Sequence, residues 1–367
     1  MKAAVLREVG KPLEIETVAI GKPGPREVLI RTKAAGVCHS DLHFIEGSYP
    51  HPMPAVLGHE SAGIVEAVGD EVRTVKVGDH VITCLSAYCG HCEVCLTGHM
   101  SLCISPETKR PKGAEPRLFK EDLAGQHGPM AQFLNLSSFA EMMLVHEHAC
   151  VAVRKDMPFD RAALIGCSVM TGVGAVIHTS KVQPGETVAV IGCGGVGLAT
   201  INGAAIAGAG RIIAIDRVPA KLELAKQFGA TDVIDAVAAG DDVVKMVQEM
   251  TGGGVHHSFE AIGLKITAEQ SFRMLRRGGT ANIIGMIPVG TKIELHGPDF
   301  LGEKKIQGSF MGSNRFPVDM PRLVDFYMSG RLNLDALISR RIKLEDVNSA
   351  FDELKRGELA RSVIVFD

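Results

Sequence analysis

No charge of one sign dominates this 367-residue chain: 39 basic and 42 acidic residues leave a net charge of −3. That near-balance excludes the electrostatic footprint of a protein built to hold nucleic acid or an anionic membrane. No long apolar run goes uninterrupted. The most apolar stretch, around residues 187–215, is broken by glycines and reads as buried strand and helix, not as a membrane span. The opening MKAAVLREVGKPLEIE carries charges at Lys2, Arg7 and Glu8 and lacks the apolar core of a signal peptide. No internal repeat is visible. The nine cysteines are an odd number, and a chain of this size needs no disulfide framework, so reduced thiols and a cytoplasmic address are expected.

What is present divides the chain in two, as its length predicts. The first third shows short alternating runs (AAVL, EIETVAI, EVLIRTKAAG, AGIVEAVG, DHVIT) punctuated by glycine and proline, the pattern of antiparallel strands. From about residue 180 short apolar strands (TVAVIG, RIIAID, DVID, HHSFEAI, TANIIG) alternate with helix-length segments such as PAKLELAKQFGA, DDVVKMVQEM and AEQSFRMLRRGG. Strand–helix alternation implies an α/β fold with a parallel, doubly wound sheet. PVDMPRLVDFYMSG and LEDVNSAFDELKRG read as further helices and RSVIVF as a last strand. The polar, proline-rich SPETKRPKGAEPRLFKEDLAGQHGP reads as a long surface loop.

Within VAVIGCGGVGLA, Gly192, Gly194 and Gly197 give the pattern G-x-G-x-x-G, completed by Gly195 and Val196, after a predicted strand and before a predicted helix. Glycines there let the backbone turn sharply and approach a pyrophosphate, which the helix N-terminus attracts. Asp216 closes the next strand, where a carboxylate accepts hydrogen bonds from the adenosine ribose and favours NAD over NADP. Arg217 tempers that preference, and Lys221 is within reach of the same ribose.

Four cysteines, Cys89, Cys92, Cys95 and Cys103, follow the spacing C-x2-C-x2-C-x7-C. Tetrahedral zinc accepts four sulfurs and then has no open position, so this cluster reads as a structural metal site in a lobe at 84–104. His91 and His99 read as loop residues, and no basic residue inside the cluster supports a nucleic-acid module. Cys38, His59, Glu60 and Cys167 are scattered. A lone cysteine is usually a small hydrophobe, and a lone histidine is usually a satisfied core residue, so spacing alone assigns them nothing.

Taken together, GVCHSDLH, GHE, the four-cysteine lobe, GCSVMTGVG, the glycine fingerprint and RSVIVF resemble the zinc-dependent medium-chain alcohol dehydrogenases, on the liver-type, class III-like side. The resemblance covers nearly the whole chain. It implies a mostly β, GroES-like catalytic domain at 1–168 and 311–367 and a Rossmann NAD-binding domain at 169–310. It also implies two zinc ions per chain, the catalytic one held by Cys38, His59 and Cys167 with a fourth place left for water or alcohol. Glu60 would lie behind that metal as a transient ligand. Asp41 would fix the His59 ring, with a helix cap or turn acid as its plainer role.

In such a family a zinc-bound alkoxide gives hydride to NAD, and Ser40 passes the proton through the cofactor ribose to His43 and water. Thr171, Ile284 and the fingerprint would line the cofactor, and Arg361 would meet its pyrophosphate. His39 stands where many relatives carry arginine, and a histidine is only partly charged at neutral pH. NAD is therefore expected to be held more weakly and with more pH dependence than in His39→Arg, measured as dissociation constants between about pH 6 and 9; identical profiles would contradict this. The expected substrate is a primary alcohol or aldehyde in an apolar pocket near Leu85, with the segment 104–132 shaping its mouth. A formaldehyde dehydrogenase acting on a thiol adduct and a non-enzymatic NAD-binding scaffold are the alternatives. A homo-oligomer, dimer or tetramer, pairing through residues 284–306 is implied as well.

Overall fold

The computed structural model describes residues 1–110, 113, 115–121, 127–357 and 360–367. They form two compact units, one of Met1–Cys167, Arg315–Met328 and Ile338–Asp367, the other of Ser168–Asn314 and Ser329–Leu337.

In the first unit, alternation along EVLIRTKAAG turns Val28, Ile30, Thr32 and Ala34 inward on the strand Glu27–Gly36 and leaves Arg31 exposed. This strand pairs antiparallel with Ser61–Val68, Met142–His146 and Ser362–Val365. His80–Thr83, Cys150–Val153 and Arg340–Ile342 complete a seven-stranded sheet among the described residues. Val28, Ile30, Val65, Val81, Met143 and Val145 form its core, each such side chain contributing about 1.5–3 kcal/mol by leaving water. A second sheet runs in the order Glu14–Thr17, Lys2–Leu6, Ala55–Val56, His127–Gln132, Leu118–Glu121, Ala19–Ile20.

Part of the expected surface loop is therefore strand. Leu118 pairs with Met130, and both are buried in an apolar cluster with Val5 and Val56. Residues 122–126, at the tip of that predicted loop, lie outside the described residues. The segment is tied down by Glu27, which is 6% exposed. Arg117 Nε lies 2.7 Å from its Oε1, and Arg110 Nη2 lies 2.7 Å from its Oε2. Burial would raise the Glu27 pKa, but the Arg110 hydrogen bonds, the Arg117 charge and the Gly24 N–H outweigh it and hold it at about 2. A carboxyl depressed in the folded state stabilises the fold above its unfolded pKa and loses that contribution as pH falls through the folded value. Wild-type stability should thus fall between pH 4.5 and about 2. Glu27→Gln should start roughly 3 kcal/mol lower at neutral pH and show a flatter acid limb in denaturant titrations.

The second unit holds a parallel six-stranded sheet among the described residues. Numbered along the chain, its strands are Thr187–Ile191, Arg211–Asp216, Asp232–Asp235, Val255–Glu260, Leu275–Ile283 and Lys305–Gly308. Their order across the sheet is 3-2-1-4-5-6, the doubly wound arrangement. The helix expected over AEQSFRMLRRGG is shorter: it spans Lys265–Arg273, and Leu275 opens a strand. Leu275 is buried and pairs with Val255, so packing into the sheet overrides the helical pattern. Among the described residues one helical run, Phe159–Ser180, is long and apolar enough to cross a membrane, yet 83% of its most apolar window is buried inside the protein.

Candidate active site

Strand register assembles the first cluster. Ala35 pairs with Ser61, Gly36 N donates to Glu60 O, and Val37 N donates to Ser362 O. The residues just beyond these pairings, Cys38, His59 and Arg361, therefore converge. Cys167 arrives from the helical run over Phe159–Ser180, whose turn at Ile165–Val169 is a π-helix, a feature that often marks functional sites. Gly166 permits the approach, because a Cβ there would lie 2.6 Å from Thr83 O. The ligand atoms of Cys38, His59 and Cys167 then all lie within 4.8 Å of one another, and all three residues are buried.

Asp41 organises this cluster through both carboxylate oxygens. His59 Nδ1 and Gly58 N each donate to Oδ1 at 3.1 Å, and Cys38 N donates to Oδ2 at 3.3 Å. The same carboxylate thus orients the imidazole and caps the helix His39–Ile45. With Nδ1 so engaged, His59 Nε2 is buried without a hydrogen-bond partner among the described residues. A buried ring nitrogen without a partner, beside two thiols, is the donor set of a metal site. Hydrogen bonding between the two thiols lowers the Cys38 pKa and raises that of Cys167. Burial works against a charged His59, but the Asp41 carboxylate and Cys38 raise its pKa well above the ordinary value. A divalent cation entering here would displace those protons. Three protein ligands leave a fourth position for substrate.

Behind the cluster, Arg361 is 3% exposed, donates to Val37 O and lies 3.4 Å from the buried Glu60. Burial opposes its charge, but Cys38, Glu60 and Cys167 raise its pKa. Residue spacing gave no signal of this pairing, since 301 positions separate the partners. On the helix after Cys38, Ser40 Oγ lies 3.6 Å from Cys38 Sγ, and half-buried His43 follows three residues on, its pKa lowered by burial. His39 is exposed. Phe133 packs edge-on against His59 at 5.9 Å and against Phe44 at 4.8 Å, and Asn135 Nδ2 donates to Leu85 O. Sequence reasoning missed Phe133 and Asn135, which no local motif marks.

The second cluster is closed. Cys89 and Cys95 sulfurs are 3.9 Å apart, and those of Cys92 and Cys103 are 3.8 Å apart. Four sulfurs about 2.3 Å from one tetrahedral ion would be separated by about 3.8 Å, so the cluster fits zinc. The backbone N–H groups of His91 and Cys92 help hold the Cys89 thiol at about 6, while burial pushes Cys95 to about 12. At the root of the lobe Tyr88 stacks on His148 at 4.5 Å, and His148 Nδ1 bonds the Tyr88 carbonyl. His91 and His99 contact Glu107 and Thr97 instead of the sulfurs.

In the second unit the fingerprint occupies the turn into the helix Gly195–Ile206, with Gly194 as its N-cap. Gly192 has φ +95°, and a Cβ on Gly197 would lie 1.7 Å from Gly192 O, so only glycine keeps this turn tight. Such a cradle fits a dinucleotide pyrophosphate. Asp216 is less open than its sequence position implies: Cys193 N donates to Oδ2 at 2.7 Å and Val218 N to Oδ1 at 2.9 Å. Ile284 N donates to Glu260 O, placing it at the same C-terminal ends of the strands. Thr171, buried on Met170–Gly174, bonds Met311 Sδ at 3.6 Å.

A doubly wound nucleotide fold, an open Cys–His–Cys cluster and a closed four-cysteine lobe define a zinc-binding dehydrogenase. Residues 24–155 match the alcohol dehydrogenase GroES-like domain and residues 195–328 the zinc-binding dehydrogenase family. The chain is 40% identical to an S-(hydroxymethyl)glutathione dehydrogenase of Synechocystis over 99% of both chains. Among solved structures, an alcohol dehydrogenase zinc-binding domain protein from Burkholderia ambifaria superposes with a TM-score of 0.93 at 37% identity, covering 100% of this chain and 98% of that one. Benzyl alcohol dehydrogenase from Acinetobacter calcoaceticus gives a TM-score of 0.91 at 35% identity, covering 100% and 99%. The chain belongs to the zinc-dependent medium-chain alcohol dehydrogenase family, on its class III-like side, and is a zinc- and NAD-dependent oxidoreductase.

Proposed function

We propose that the enzyme interconverts primary alcohols, aliphatic or aromatic, and their aldehydes. The observation that carries this is the contrast between its two thiol clusters, one closed by four sulfurs and one left open by three ligands. Zinc at the open cluster supplies Lewis-acid polarisation of the substrate oxygen, and NAD supplies the hydride acceptor. The protein does the rest. Asp41 holds the His59 ring in one tautomer. Ser40 Oγ would take the hydroxyl proton and pass it by way of the cofactor ribose to His43, whose pKa burial lowers, and so to water. The Glu60–Arg361 pair keeps a charged carboxylate poised behind the ligands. Gly192 to Gly197 seat the pyrophosphate. Thr171 and Ile284 flank the nicotinamide half, while Asp216, Arg217 and Lys221 meet the adenosine ribose.

Phe133 packs on His59, Phe44 on Phe133 and Tyr49 on Phe44, an aromatic run that supports an apolar setting beside the ligand. NADH formation at ~340 nm with ethanol, hexanol and benzyl alcohol tests this reading, because alkyl and aryl carbinols probe the same polarised oxygen. No turnover with any of the three would overturn it. The 40% identity to an S-(hydroxymethyl)glutathione dehydrogenase favours a second reading, oxidation of a thiol adduct of formaldehyde. A strict requirement for glutathione or mycothiol in a formaldehyde assay would select it. The nine free thiols support a reducing, cytoplasmic setting. Exposed Val289, Leu301 and Phe310 around the edge strand Lys305–Gly308 support a homo-oligomer.

A further inference from the structure

One polar cluster on a face of the parallel sheet is used by neither the metal nor the cofactor residues. Val188 of the first strand is in register with His257 of the fourth, so Glu186, two residues before Val188, shares the face that carries His257. Glu186 Oε2 lies 2.9 Å from His257 Nε2. Asn282 of the fifth strand is in register with Phe259 and falls on the same face. The helical turn Ala175–Ser180 ends against it, where Lys181 takes a left-handed φ of +54°. Its last residue, Ser180, places Oγ 2.7 Å from His257 Nδ1 and accepts a hydrogen bond from Asn282 Nδ2 at 2.9 Å. The proton positions follow from these partners. Burial would raise the Glu186 pKa, but the Gln183 N–H and the His257 ring hold it below the ordinary value, so the carboxylate only accepts. His257 Nε2 therefore carries the ring proton, and Nδ1 is bare. Ser180 Oγ already accepts from Asn282, so its own proton is donated to Nδ1.

We propose that Ser180 is a reactive serine, acylated by activated esters, with His257 as its general base and Glu186 orienting the ring. A hydroxyl within hydrogen-bond reach of a base, itself held by a third group, is the arrangement that activates a nucleophile. Ser180 is half-buried, and the Glu186 and His257 side chains keep 25% and 11% exposure, so the cluster borders solvent. In the acylation, Oγ bonds to the acyl carbon and its proton passes to His257 Nδ1. The bond to the leaving phenolate breaks and the phenolate takes that proton, giving an O-acylserine and a phenol. The Asn282 amide hydrogens are engaged by Ser180 and by the Ser258 and Thr280 carbonyls, so Asn282 offers none to an oxyanion. Hydrolysis of the acyl group by water is correspondingly slow, and the modification accumulates.

Incubating the zinc-loaded enzyme with p-nitrophenyl acetate, or with diisopropyl fluorophosphate, which loses fluoride instead of a phenolate, and mapping the product by peptide mass spectrometry tests this. Both reagents should modify Ser180 at least about tenfold faster than the exposed Ser329. Urea should abolish that difference, because 77 positions separate Ser180 from its base and only the fold joins them. Glu186→Gln should slow modification by about tenfold or more, since an amide can donate to Nε2 and leave the proton on Nδ1, the wrong tautomer for a base. Ser180→Ala should lose the label. Modification of Ser180 no faster than of Ser329 in the folded wild type overturns the proposal, and that comparison needs no variant to fold. So does an undiminished rate in Glu186→Gln, or a label that persists on the same peptide in Ser180→Ala.

Discussion

Cys38→Ala is expected to leave a folded protein that contains one zinc per chain instead of two and has almost no dehydrogenase activity. Cys38 is 4% exposed and caps the helix that carries Asp41, Ser40 and His43. Its sulfur is one of three ligand atoms at the open cluster among the described residues. Removing it leaves His59 and Cys167, too few to retain a divalent ion against water. Lewis-acid polarisation contributes several kcal/mol, and each 1.36 kcal/mol is a decade in rate, so the loss should reach about a thousandfold or more. Alanine occupies the space of a small buried thiol without introducing an unpaired polar atom, so circular dichroism should be little changed. Metal analysis beside the rate assay decides the matter. Wild-type activity in a chain with a single ion would refute the assignment of the open cluster.

Cys95→Ala should do the opposite, costing stability first. Cys95 is buried, and its sulfur closes the tetrahedron in a lobe with little apolar core of its own. Leu96, Leu102 and Ile104 on that lobe are exposed, so packing contributes little to holding it. Without the fourth thiolate the ion is released, and the loop from Cys89 to Cys103 loses its crosslink. A loss of a few kcal/mol should lower the thermal midpoint by roughly 10 °C in a unit of this size. Zinc content should again fall from two to one, with the catalytic ion retained in protein kept below its transition. An unchanged midpoint would mean that the Tyr88–His148 stack and the Asn135–Leu85 bond hold the lobe by themselves.

The two metal sites differed in how openly the sequence displayed them. Cys89 to Cys103 span a short segment, so loop closure brings the sulfurs together almost wherever the lobe sits, and spacing alone identified them. Cys38, His59 and Cys167 are drawn from separate elements, and spacing was silent. Only the resemblance of the surrounding motifs pointed to them, and strand register and the close approach at Gly166 bring them together. The glycine fingerprint was legible for the opposite reason. Its geometry is local, and Gly192 and Gly197 are required by a single turn. Asp216 was legible by position but not by environment, because the N–H groups that occupy it come from the turn it helps to form.

The strand pair hidden in the proline-rich segment escaped because its signal is two short runs. Leu118 and Met130 become strand only by joining a core that Val5 and Val56 have already begun. Sequence by itself determined the alternation of strand and helix, the cofactor turn and the structural zinc, all of which depend on neighbours a few residues apart. Tertiary structure alone decided the converging ligands, the Glu60–Arg361 pair and the orientation of the His59 ring. Those depend on contacts between distant segments, whose proximity follows from sheet pairing and burial and not from order along the chain.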